Sequence, residues 1–503
     1  MLSFRVFEGS EPATNWPLSN AHLLERDDLA VRSEITFADG VIRCRRRGTN
    51  AAALCLLHDA GPLGRLMLQT CLLPDRDEPY VLSLELARYK IKQFIAKSEE
   101  WQMFELPFDH PATERWEQAR SQFTLAMNET DPVKANGHAR ASLDAAIEAT
   151  ERLALAHAEI LLHRRFGGRA ASSTTLGFRV WPGQFTENIR TAVTRDADVV
   201  MLPVRWNLIE IAEGRFDWDP LDRWMSWAQG QGKPVVAGPL LDFSEESLPE
   251  WMKVWQHDYD TCRDLVYDHL ERVVSRYRGV VGLWNLASGL NTLEHFVFSP
   301  EQMVDLVRMA ALLVRQMRKG ARTMVELVQP FGEFTARRRD ALPPLLFLDR
   351  LLQEGVQLDC VGVQLCFGNG PGHATRDLMQ ISSLLDRFLL FELPVMVTAL
   401  GVPALPGAPQ VGCWHGEWSP QVQSDWAARI FPIAMSKPFV EAVFWAELYD
   451  HPLQSTPGLG LLDAAGVPRP AMPRLCGMRR RLRRPLGANK GVGALAALGE
   501  DGR

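Results

Sequence analysis

Between residues 175 and 475 one pattern repeats eight times: a short apolar run, then a longer amphipathic stretch. The runs fall at 175–180, 199–204, 235–240, 280–286, 323–328, 360–365, 395–398 and 442–445. Each is too short for an ordinary helix and lacks the polar alternation of a half-exposed strand, as expected of parallel strands covered on both faces. Buried strands alternating with amphipathic helices predict an α/β fold, a (β/α)8 TIM barrel, which houses its chemistry at the carboxyl ends of the strands. The fourth run shows such an end: Val280, Val281, Leu283, Trp284 and Leu286 give way to Ala287, Ser288 and Gly289.

A barrel of about 250 residues or more leaves room in a 503-residue chain for an appendage. Residues 1–83 read as a small β-sandwich-like module: Ile35 and Phe37 precede Asp39-Gly40, and Ile42 and Cys44 follow, giving alternation around a hairpin turn. Further apolar runs lie at 52–57 and 66–73. From Leu84 the period becomes helical, with Leu84, Ala87, Ile91, Phe94 and Ile95 on one face, and two more helical stretches cover 112–127 and 132–166. This helical segment, with a Gly-rich linker at 167–173, fills residues 84–170. His157 and His163 are six apart, off a common helical face, and read as packed or solvated rather than metal-binding. The barrel is expected over 171–475. After it, Arg479, Arg480, Arg481, Arg483 and Arg484 precede a Gly/Ala-rich end, so residues 476–503 are expected to be a disordered tail.

Composition excludes several function classes. A net charge of -6 gives no general case for nucleic-acid binding, and 46% apolar content suits a globular protein with a large core. No run approaches the length of a membrane span, and the amino terminus lacks a basic region followed by an apolar one. The eight cysteines are scattered without a Cys-x-x-Cys pair, which reads as reduced thiols in a cytoplasmic protein. Phosphate-loop, nucleophile-elbow and paired-histidine motifs are missing, so neither metal nor cofactor is expected. Gly368 to Gly372 read as a flexible sixth loop over the mouth.

Several segments in order resemble glycoside hydrolase family 10, the retaining xylanases. Arg276-Tyr277-Arg278-Gly279 leading to Trp284 is similar to the family's fourth strand, Arg205-Trp206 with Glu213-Gly214-Arg215-Phe216 to its second, and Leu248-Pro249-Glu250-Trp251 to the Pro-x-Trp after its third. Gly362-Val363-Gln364 resembles strand six, Trp445 with Asp450 strand eight, and Leu461-Leu462-Asp463 with Pro468-Arg469-Pro470 the closing segment. The resemblance implies a carbohydrate ligand, a β-linked glycan. It also makes the β module either a carbohydrate-binding one or a domain that packs on the barrel or forms an oligomer contact.

The same alignment withholds the family's catalyst. Retaining glycosidases need two carboxyls about 5 to 5.5 Å apart. The acid/base position falls on Gly289 and the nucleophile position on Ala399. The histidine that orients the nucleophile becomes Cys366, and sugar-holding positions become Met201, Leu202 and Pro239. The protein is therefore expected to be inactive as a normal xylanase, unless other strand-end acids have taken over. Asp242, Glu326, Glu333, Glu447 and Asp450 are the candidates, with Glu333 and Glu447 favoured, and Arg205, Trp206, Gln364, Trp414 and Trp445 as cleft-lining residues.

Overall fold

Eight parallel strands close into a barrel in chain order: β1 (Leu176–Arg179), β2 (Val199–Leu202), β3 (Val235–Ala237), β4 (Leu283–Ser288), β5 (Arg322–Leu327), β6 (Cys360–Cys366), β7 (Val395–Gly401) and β8 (Val440–Trp445). The computed structural model describes residues 1–9, 11–103, 106–167, 175–293, 295–296, 298–338, 341–368, 370 and 372–484. The expected linker, Gly167 apart, lies almost wholly outside them, as do residues 485–503. Every apolar run read from the sequence carries one of the strands.

The barrel interior is filled, not hollow. Val199, Met201, Val236, Leu283, Met324, Cys360, Met396, Ala442 and Phe444 pack on one another inside it. Side chains two residues apart on a strand share a face, so Glu326, two on from Met324, is directed into the same interior one layer nearer the mouth. Surrounding helices begin where capping chemistry allows. Ser299 and Gln302 form a capping box ahead of Pro300–Met317, and Asp377 and Gln380 do the same ahead of Leu378–Asp386.

The amino-terminal module is built on two larger sheets, with a small ribbon of Phe7–Glu8 and Glu11–Pro12 beside them. Tyr80–Val81, Leu2–Arg5, Val41–Arg46 and Ser33–Ala38 form one, with Asp39 and Gly40 both at positive φ in the hairpin turn the sequence predicts. The other orders Cys413–Trp414, Gly64–Gln69, Ala53–Asp59, His22–Leu24 and Ala30–Val31. Its edge strand, Cys413–Trp414, belongs to the loop after β7, so the barrel contributes a strand to the module. Met67 N–H donates to Thr375 O (2.8 Å), and Gln380 Nε2 to Met67 O (2.9 Å), which extends the seam to the loop after β6.

Helices α1 (Leu82–Glu100), α2 (Pro111–Asn128) and α3 (Pro132–Phe166) form the helical layer and are joined to the barrel by buried polar groups. Lys90 pairs with Asp377 at 2.5 Å with both side chains inaccessible. Glu151 accepts from Leu378 N, Trp414 Nε1 and His415 Nε2 at 3.2, 2.8 and 2.7 Å. Removing one partner of such a buried pair leaves an uncompensated charge, so these contacts fix the orientation of the layer. His157 stacks on Trp101 with ring centroids 4.1 Å apart, a packed histidine as the sequence suggests.

The carboxyl-terminal boundary needs correction. Helix α4 (Ala471–Leu482) runs through residue 475 and buries Leu475, Cys476, Met478 and Leu482. Arg479 and Arg483 of the supposed solvated run pair with the fully buried Asp198, which also accepts from Thr175 N, Thr175 Oγ1 and Leu176 N. The spacing of Leu475, Met478 and Leu482 is the amphipathic signal, hidden in the sequence by the arginines between them.

Candidate functional site

Polar side chains converge at the carboxyl ends of the barrel strands. The residues of β4 and β5 pair Ser288 with Glu326, and Ser288 Oγ donates to Glu326 Oε2 at 2.6 Å. From the other side, Gln364 Nε2 donates to the same oxygen at 2.8 Å. Gly362 makes this approach possible: a Cβ there would sit 2.9 Å from Thr398 Cγ2 and 3.3 Å from Glu326 Cβ. Two donors from different strands thus converge on one buried carboxylate oxygen.

Arg179, at the end of β1, faces this group. Burial opposes its charge, but the fields of Glu326, Glu447, Cys366 and Asp242 outweigh that and raise its pKa, so it stays protonated. Its Nε is buried without a hydrogen-bond partner. Asp242 follows β3, one residue past Leu241, which bridges to Ala287 of β4. Burial, reinforced by the charge of Glu326, raises the Asp242 carboxyl above its ordinary value, although Ser244 N–H donates to it at 3.0 Å. Two buried carboxyls beside one arginine, one of them raised by burial, form an arrangement that can hold hydroxyl groups or move a proton.

The positions assigned to the standard catalytic pair are different. Ala399 is buried among Cys366, Ala446 and Leu459, and burial pushes the Cys366 thiol up to about 12. Gly289 has φ +65, and a Cβ on it would lie 3.0 Å from Thr292 Oγ1 and 3.1 Å from Val328 Cγ2. Neither place is shaped for a carboxylate.

The other expected site residues divide into those at the mouth and those buried elsewhere. Gln364 lies in the polar cluster, and Glu447 is beside it, 3.2 Å from His451 Nε2. Arg205 reaches the mouth's other edge, stacked over Trp181 at 4.9 Å and 3.4 Å from Glu246, and its charge is felt by Asp242. The three tryptophans do not line a cleft. Trp445 is fully buried and donates to Leu459 O at 2.8 Å; Trp414 donates to Glu151; Trp206 donates to Glu210 Oε2 at 2.8 Å and stacks on His269. Their apolar area serves packing, and their indole N–H groups find partners inside the protein. Glu333 is not presented freely at the mouth either: it is ion-paired with Arg376, away from the Glu326 cluster. Asp450 is bonded to Arg469.

Sequence reasoning overlooked Arg179 and ranked Glu326 below Glu333. The signal for both was the two-residue period: Arg179 is two on from Gly177, and Glu326 two on from Met324.

The sequence model of glycosyl hydrolase family 10 matches residues 169–292. The chain is 24% identical to endo-1,4-beta-xylanase 3 of Hypocrea jecorina over 210 residues, 41% of this chain and 56% of the relative. It is 20% identical to endo-1,4-beta-xylanase B of Thermotoga neapolitana over 249 residues, 48% of this chain and 67% of the relative. The chain thus spans about half the length of the first of these curated relatives. Xylanase 10B of Thermotoga petrophila, solved in complex with xylobiose, superposes with a TM-score of 0.48 at 16% identity, over 64% of this chain and 97% of that one. With eight parallel strands in barrel order and the family match across its first four, residues 176–445 form a glycosyl hydrolase family 10-like barrel.

Proposed function

We propose that the barrel mouth binds a β-linked glycan or oligosaccharide and does not hydrolyse it by the retaining mechanism. The observation that carries this reading is that the carboxyls around the mouth already have partners in the protein. Glu326 is held by Ser288 and Gln364, Glu447 lies against His451, Glu333 against Arg376, and Asp242 accepts from Ser244, whereas the positions assigned to acid/base and nucleophile are Gly289 and Ala399. Glu326, Gln364 and Arg179 supply the acceptors and donors that sugar hydroxyls need. The β module then acts as a wall of the barrel rather than as a separate binding domain, which its shared strand Cys413–Trp414 supports. Free thiols at all eight cysteines, buried except Cys71, support a reducing, cytoplasmic setting. No described helix is long and apolar enough to cross a membrane. Titration calorimetry with neutral xylo-oligosaccharides, run beside a reducing-end assay, tests the proposal: binding without new reducing ends is expected, and no binding at all would overturn it.

A second reading, a hydrolase with relocated acids, is favoured by one observation, the raised Asp242 carboxyl beside the doubly bonded Glu326. Asp242 follows β3 and Glu326 lies on β5, near enough for the charge of Glu326 to act on Asp242, and an inverting mechanism needs such a pair with room for a water between its members. Release of reducing ends that vanishes in both Asp242→Asn and Glu326→Gln would establish this reading in place of the first.

A further inference from the structure

The module loop around Asn20 lies across the carboxyl face of the barrel and separates two cavities. Asn20 is at φ +54, and its Nδ2 donates to Gln410 O at 3.1 Å, which fastens the loop to the segment after β7. On the β5 side the loop closes a cavity of about 130 Å3, lined by His22 of the module and by Gln329, Glu333, Arg337 and Arg338 of the loop after β5. Neither the module nor the barrel forms this cavity alone.

Its charges are unusual for a chain with net charge -6. Arg337 and Arg338 line it, and Arg376 stands behind its wall, 3% exposed, paired with the single carboxylate Glu333 and with its Nε buried and unpartnered. Arg338 donates to the carbonyls of Thr292 and Leu293. The side chain of Arg337 is exposed and makes no hydrogen bond or ion pair among the described residues. The Arg337 guanidinium therefore lines the cavity without a carboxylate partner among the described residues.

Beside that cation are groups suited to hydroxyls. His22 Nδ1 lies 2.7 Å from Asn20 O, a carbonyl that can only accept, so Nδ1 carries the proton and Nε2 is left as an acceptor. Burial, with Arg376 and Arg337 adding, holds the His22 pKa down to about 4, so the ring is neutral near pH 7. Gln329 takes a left-handed backbone at φ +45, a conformation that non-glycine residues adopt at the expense of about 1–3 kcal/mol. Its amide approaches Gly372 closely enough that a Cβ there would sit 2.2 Å from Oε1. An acceptor imidazole and Glu333 would repel a doubly charged phosphate, but they suit the hydroxyl donors of a singly charged ligand.

We propose that this seam cavity binds an acidic sugar residue of the glycan, with Arg337 pairing with its carboxylate and His22 Nε2 and the Gln329 amide taking its hydroxyls. The proposal rests on the glycan-binding reading of the barrel mouth and extends it to anionic glycans. The guanidinium–carboxylate pair is expected to contribute about tenfold in affinity, the scale of a charge-assisted hydrogen bond in a partly exposed site.

The test is calorimetric or NMR titration of the full-length protein with D-glucuronate, D-glucose and sodium sulfate, repeated on Arg337→Ala. The expected result is that D-glucuronate binds about tenfold more tightly than D-glucose and that the margin disappears in Arg337→Ala. Because Arg337 is exposed, its truncation leaves the packing in place. Equal affinity for the two sugars, or a margin that survives Arg337→Ala, overturns the proposal. Sulfate binding as tight as D-glucuronate would also overturn it, leaving an anion site without sugar recognition. The reading of the mouth is judged separately, by wild-type binding of neutral xylo-oligosaccharides: failure there with retained preference for D-glucuronate would sink the mouth reading, and the reverse would sink only the seam site.

Discussion

The mouth of the barrel has two unlike halves. Around β6, β7 and β8, Cys366, Ala399, Ala446 and Leu459 pack into a small apolar cluster where the family resemblance places a nucleophile. Around β1, β3 and β5, Arg179, Asp242 and Glu326 place ionisable groups near one another, with Arg179 held protonated by the acids that face it. One scaffold thus supports both a dry and a charged end, because each strand contributes its inward-facing residue independently of its neighbours. A position at the strand ends can be packed over while ionisable groups persist elsewhere on the same ring.

The largest effect should come from reversing the apolar half. Ala399→Glu would place a carboxylate among Cys366, Ala446 and Leu459 without a designed partner, and a loss of about 3–5 kcal/mol in denaturant-measured stability is expected, with no xylanase activity gained. A stable, active variant would show that the cluster is looser than its burial implies.

Next in size is the charged half. Glu326→Gln removes the anion that faces Arg179 and leaves the Ser288 hydroxyl and the Gln364 amide with at most a neutral, weaker acceptor. Affinity for neutral xylo-oligosaccharide should fall by about tenfold or more, as read by calorimetry. An unchanged affinity would move the ligand site away from this cluster.

Gly289→Ala sits between the halves and tests the other standard position. A side chain at φ +65, with its Cβ 3.0–3.1 Å from Thr292 and Val328, should lower stability by about 1–2 kcal/mol. Restoring Glu at 289 and 399 together should therefore destabilise the protein rather than recover hydrolysis.

The smallest effect concerns Asp242, whose folded pKa is raised. For a raised carboxyl the stabilising contribution is complete below the ordinary value of 3.8 and is lost as pH rises through the folded value. Asp242→Asn cannot ionise, so it should raise stability modestly at neutral pH, by about 1 kcal/mol or less, and leave it unchanged below pH 3.8. A destabilised variant at neutral pH would mean that Asp242 carries a charge the fold needs, and the two halves would be less distinct than described.

Much of this architecture was legible in residue order. The eight apolar runs gave the barrel, Asp39-Gly40 its hairpin, and the change of period at Leu84 the helical layer. Gly289 and Ala399, where the resemblance places carboxylates, were likewise read from residue order. The roles of Trp206, Trp414 and Trp445 were not, because an aromatic ring at a strand end is equally suited to a cleft or a core, and only its neighbours decide. Glu333 looked like a mouth residue because Gly332 shapes a loop there, but its partner Arg376 is 43 positions away in the chain.

By itself, the sequence determined the kind of elements and their order, since hydrophobic period and turn chemistry act over a few residues at a time. Tertiary structure alone decided which acids meet, which are neutralised, and that a loop of the β module completes a cavity on the barrel. Those outcomes depend on the convergence of strands 1, 3, 5 and 6 and on the docking of residues 20–22, and electrostatic fields between side chains distant in the chain exist only once the barrel has closed.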